Sequence, residues 1–119
     1  MGMRGLLLVM SAVGLLSAAG CRSAVVEATV VNRLDRPIRL IEVDYPSASF
    51  GTENLGVGAE YHYRFKVLGS GEMRVIYTDA GEKEHTVKGP ALREGAQGRL
   101  GVAIGPGGVD WQMQGVEQP

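Results

Sequence analysis

The sequence predicts an all-β domain, a small antiparallel β-sandwich, and three observations carry that prediction. Apolar and polar residues alternate with period two in segment after segment, the spacing that gives one set of side chains to a core and the other to water. Turn signals rich in Gly, Pro, Asn and Asp separate these segments roughly every 8 to 15 residues. From Val25 onward no stretch carries apolar residues at helical spacing, so the pattern contains no crossover helix of the kind a parallel sheet needs. At 119 residues the chain supports one hydrophobic core.

The first element stands outside that core. Residues 1–20 have the three-part layout of an export signal, expected as an N-terminal signal helix: Arg4, an apolar run from Leu6 through Leu16, then small Ser17, Ala18, Ala19 and Gly20. The apolar run is shorter than the roughly 20 residues a membrane span requires. Ala18-Ala19-Gly20-Cys21 resembles the lipobox of bacterial lipoproteins, with Ala18 where that family commonly has Leu. The resemblance implies that the signal peptide is cleaved before Cys21, the only cysteine, which is lipidated on sulfur and acylated, for instance with palmitate, on its new amino group. Several acyl chains on one residue make a stable membrane anchor. Removing residues 1–20 takes Arg4 away and leaves 11 basic against 13 acidic residues, so lipid rather than charge must hold the protein to the bilayer. Arg22 follows the cysteine in place of the Asp that resembles an inner-membrane retention signal. The expected location is the cell envelope, on the periplasmic face of the outer membrane where a cell has two membranes. Residues 21–24 are then lipidated Cys and tether, 25–114 the sandwich, and 115–119 a tail.

The strands follow in order. Val26, Ala28 and Val30 alternate with Glu27 and Thr29, and the polar run from Asn32 to Pro37 connects them to a strand from Ile38 to Val43. That second strand changes phase: Ile38 and Leu40 point one way, Ile41, Val43 and Tyr45 the other. A bulge near Leu40 and Ile41, or burial on both faces, reconciles the two phases. From Ala59 to Val67, Tyr61, Tyr63, Phe65 and Val67 share one face while Glu60, His62, Arg64 and Lys66 share the other. Met73, Val75 and Tyr77 lead through the turn Asp79-Ala80-Gly81 to a return strand over Glu84, His85, Thr86 and Val87. Leu100, Val102 and Ile104 are followed by the turn from Gly105 to Gly108 and a closing strand carrying Val109, Trp111 and Met113. The count is six or seven strands, with an open barrel as the structural alternative. Asn32, Pro37-Ile38, Val43 and Leu55-Gly56-Val57-Gly58 ahead of the strand ending Phe65-Lys66-Val67 resemble immunoglobulin-like modules of bacterial envelope proteins. That resemblance implies a fold over residues 25–114 and no functional residue.

The candidate chemistry is sparse. His62, His85 and Met73 are metal-ligand types, but the histidines fall on polar strand faces and Met73 on an apolar one, so no metal and no cofactor is expected. Ser47, Ser49 and Ser70 lie beside turns without a nucleophile elbow, which leaves no catalytic residue and no enzyme expected. Glu42 and Asp44 share one face of a strand and read as a solvated pair. Nearly balanced, scattered charge gives no track for nucleic acid. The segment from Asp44 to Gly51 reads as a loop in which Pro46 breaks the strand, and in which Tyr45, Pro46 and Phe50 either meet an envelope protein or, for the two aromatics, plug the end of the core. The expected function is therefore a membrane-anchored envelope lipoprotein whose non-catalytic domain binds or scaffolds a membrane-proximal partner. A periplasmic small-ligand or metal-binding lipoprotein is the alternative.

Overall fold

A computed structural model describes residues 24–119; the expected signal segment, the lipobox and Cys21 lie outside the described residues. The domain is an all-β sandwich of eight strands, β1 (Val26–Asn32), β2 (Ile38–Tyr45), β3 (Ala48–Leu55), β4 (Glu60–Phe65), β5 (Gly71–Thr78), β6 (Glu84–Leu92), β7 (Gln97–Gly105) and β8 (Gly108–Glu117). They form two four-stranded sheets, ordered β4-β1-β7-β8 and β3-β2-β5-β6. Every neighbouring pair is antiparallel except β1 and β7, which run parallel with Val26 opposite Gly98 and Asn32 opposite Ile104. The sandwich is thus antiparallel, as expected, apart from that one pair. Alternation within a strand sets which face is buried and carries no information about the direction of a neighbour.

The predicted faces hold in β1, β5 and β7, whereas Leu40, Tyr63 and Met113, expected on apolar faces, are exposed. Val26, Ala28 and Val30 face Leu100, Val102 and Ile104 along one sheet, and Ile41, Val43, Met73, Val75 and Tyr77 line the other, so the core lies between the two sheets. The phase change in β2 has a paired cause. Ile38 pairs with Leu55 and Leu40 with Glu53 in one unbroken register, and both strands switch their inward side between those pairs, at Arg39 and Asn54. Asn54 takes φ +52°, the left-handed backbone that Asn tolerates better than most residues. Each strand spends one extra residue, so the offsets cancel and no net bulge results.

Three further expectations change. The segment after Tyr45 is a two-residue turn, Pro46-Ser47, and Ser49, Phe50 and Gly51 already belong to β3, the eighth strand missing from the sequence count. Glycine at position 51 matters here, since a Cβ would collide with the Ile41 carbonyl oxygen. Asp79-Ala80-Gly81 opens a longer loop that ends at Lys83, with Glu82 at φ +66°. The strand expected to stop near Met113 continues to Glu117, and the last residues are held by Arg93, whose N–H donates to Gln118 Oε1 at 2.6 Å.

Asn32 ties one end of the sandwich together. It is the sole buried polar residue among those described, fully shielded from solvent. Its Nδ2 donates to the carbonyls of Arg36 and Leu55 at 2.9 and 3.0 Å, and its Oδ1 accepts from Leu34 N–H at 2.8 Å. Its backbone pairs with Ala59 and Gly58. One amide side chain thus fixes the connections on both sides of the sandwich end.

Candidate functional site

A trough of about 540 Å³ lies on the outer face of the β4-β1-β7-β8 sheet. Its shape follows from side-chain size. The inner strands β1 and β7 present Thr29 and Gly101 outward, while β4 raises His62 and Arg64 on one flank and β8 raises Gln112 and Gln114 on the other. Long side chains beside short ones leave a channel on a surface that the sheet twist alone would leave shallow. Glu27 and Arg99 sit across one end with 4.0 Å between Arg99 Nε and Glu27 Oε2, a contact too long and too exposed to hold the two rigidly.

The polar groups along the trough are mixed in sign. His62 Nδ1 shares a hydrogen bond with Thr29 Oγ1 at 3.0 Å, and its Nε2 lies 3.3 Å from Glu60 Oε2. The imidazole is thereby oriented by a neighbour on each side. The trough offers donors from arginine and glutamine and acceptors from Glu27, Thr29 and the amide oxygens. Such a surface can form hydrogen bonds with an extended polar ligand or a peptide segment.

The other sequence candidates are dispersed. His62 is on β4 and His85 on β6 of the opposite sheet, and Met73 is in the core. Among the described residues no three His, Cys, Asp or Glu side chains converge. His85 departs from the expected solvated histidine: its ring stacks on Tyr77 at 4.5 Å, and its Nε2 donates to Asp79 Oδ2 at 2.8 Å. Asp79 Oδ1 accepts from the N–H groups of Gly81 and Lys83. The His85 bond first, then the backbone donor of Lys83, hold the Asp79 carboxyl below its usual range. Glu42 and Asp44 do share the outer face of β2. A hydrogen bond with Asp44 and then its like charge push Glu42 up, while Arg74 Nη2 pairs with Asp44 at 2.8 Å.

Tyr45, Pro46 and Phe50 come together with different burial. Phe50 is 6% exposed and belongs to the core, stacked on Tyr63 at 4.4 Å. Tyr45 is half-buried and stacked on Phe65 at 4.2 Å, and burial pushes its phenol up. Pro46 is the partly exposed corner of the turn. For the two aromatics the core reading is the one the geometry matches; no signal in one sequence separates a tight β-turn from a longer loop when both begin with Tyr-Pro-Ser. The trough was not legible either, because it is built by residues on four strands whose order the sequence does not state.

No protein-family model matches this chain, and no curated protein matches it. Among solved structures, the NMR structure of a protein from Eubacterium rectale is similar, with a TM-score of 0.55 and 13% identity over 75% of this chain and 87% of that one. At that identity the likeness is one of fold alone.

Proposed function

We propose that this protein is a membrane-anchored envelope lipoprotein whose sandwich is a non-catalytic binding module for a membrane-proximal partner. One observation carries the reading: the lone cysteine, preceded by Ala18-Ala19-Gly20, stands only five residues before the first core residue, Val26. Five residues span at most about 17 Å, so acylation at Cys21 keeps the domain against the membrane surface. The trough across β4-β1-β7-β8 is the surface offered to the partner. Its volume also favours a second reading, in which the occupant is a small polar ligand rather than a protein.

Metabolic labelling with a fatty acid, combined with membrane fractionation, tests the anchor. Wild type is expected to carry label and sediment with membranes, and Cys21→Ser to lose both. Equal labelling of the two removes the lipoprotein reading. A photo-crosslinking residue at Gln112 then separates the occupants: a discrete protein adduct that is lost when Arg64 and Arg99 are both changed to Glu supports the protein partner. A shift in melting temperature with a small polar ligand, without an adduct, supports the alternative.

A further inference from the structure

The strand directions place five features at one end of the sandwich. The start of β1, the turn Pro46-Ser47, the connections 66–70 and 93–96, and the C-terminus all lie there, because β1, β3, β5 and β7 run away from this end while β2, β4, β6 and β8 run toward it. It is also the end where the tether from Cys21 enters.

Leu68 is exposed at this end, and it is the most exposed of the large apolar residues described, at 68%. Its exposure is built in rather than the result of a slack loop. The Leu68 N–H donates to Ser47 Oγ at 3.2 Å, the carbonyl of buried Val67 accepts from Gly95 N–H at 3.0 Å, and Glu94 N–H donates to Ser70 Oγ at 3.0 Å. Pro46 lies close to Gly69 and Gly71, and the Leu68–Ser47 bond brings Leu68 to the same corner. Holding a leucine in water forgoes its transfer free energy unless something apolar meets it.

We infer that this end is a membrane-docking surface, with Leu68 and Pro46 seated in the interfacial region of the bilayer that anchors Cys21. The occupant follows from chain length: the tether reaches at most about 17 Å, so the bilayer is the apolar phase held within reach of this corner. Charge does not select it, because Lys66 and Arg93 at this end are offset by Glu72, Glu94 and Glu117. The apolar contact fixes the tilt of the domain and so decides which way the trough faces. The inference rests on acylation of Cys21.

The test uses the full acylated protein in vesicles of phosphatidylethanolamine and phosphatidylglycerol that contain a lipid with a nitroxide on its headgroup. A fluorophore is attached to Ala48→Cys, exposed beside the Pro46-Ser47 turn, or to Val57→Cys at the opposite end. Mass spectrometry reports the acylation of Cys21. Stronger quenching at position 48 than at 57, reduced by adding Leu68→Asp without change in melting temperature, supports docking; the docked-to-undocked ratio is expected to fall by about tenfold or more. Quenching at position 48 that Leu68→Asp leaves unchanged overturns the docking surface while the lipoprotein reading stands. An unacylated Cys21 overturns both.

Discussion

The two open sides of the sandwich are closed by opposite means. Where β3 faces β4, an aromatic cluster bridges the sheets: Phe50 stacks on Tyr63 at 4.4 Å and 12°, and Tyr45 stacks on Phe65 at 4.2 Å. Phe50 also meets Phe65 and Tyr61, at 5.6 and 6.4 Å between ring centroids. Where β6 faces β8, one large ring meets an absent side chain: Trp111 lies on Gly89, where a Cβ would approach the indole to 2.6 Å. The indole Nε1 is buried there without a hydrogen-bond partner. One seam is thus redundant, several rings sharing the contact, and the other depends on a single complementary pair. In the first seam a peripheral ring can be lost while its neighbours keep the contact, but Phe50, which all of them share, cannot; in the second the one pair has no substitute.

The largest effect on this comparison is expected from Phe50→Ala. The ring touches every aromatic of its seam, so its removal should cost about 3 to 5 kcal/mol in urea or thermal unfolding, much of what a small domain has. A cost under about 1 kcal/mol would mean that the remaining rings collapse into the space and that the seam is more plastic than its geometry implies.

Next comes Gly89→Ala, which tests the other seam by addition. The new methyl collides with the indole and should cost about 1 to 3 kcal/mol, with a red shift of Trp111 fluorescence as the ring is displaced. The same change in a Trp111→Ala background should be nearly neutral. That coupling, read by a double-mutant cycle, is the signature of a seam made from one pair.

Tyr63→Ala sharpens the contrast from the redundant side. Tyr63 is 38% exposed and covers Phe50 from outside, so its loss should cost only about 0.5 to 1.5 kcal/mol, the worth of one stacked aromatic pair. A cost equal to that of Phe50→Ala would show the cluster acting as a single unit.

The smallest effect is electrostatic and belongs to the β5–β6 hairpin. Asp79 is held below its ordinary 3.8 by the His85 bond and by backbone donors, so its stabilisation is fully present above that value and is lost as pH falls through the depressed folded one. Amide exchange in β6 should therefore accelerate below about pH 4, with β3 unaffected, and Asp79→Asn should remove the pH dependence. Equal acceleration in β3 would mean that the seams do not differ in acid.

The core faces of β1, β5 and β7 were legible in the sequence because the side-chain period of a strand is local: Val26, Ala28 and Val30 need only each other to declare an inward side. The same holds for the Pro106-Gly107 turn between β7 and β8, where chemistry and position are adjacent in the chain. What tertiary structure alone decided is non-local. The parallel pairing of β1 with β7, the seat of Trp111 on Gly89, the three hydrogen bonds of the Asn32 side chain and the trough between His62 and Gln112 each join segments whose neighbours are chosen by the packing of whole sheets. Alternation states which side of a strand is buried; only the competition among all strands for one core states what it is buried against.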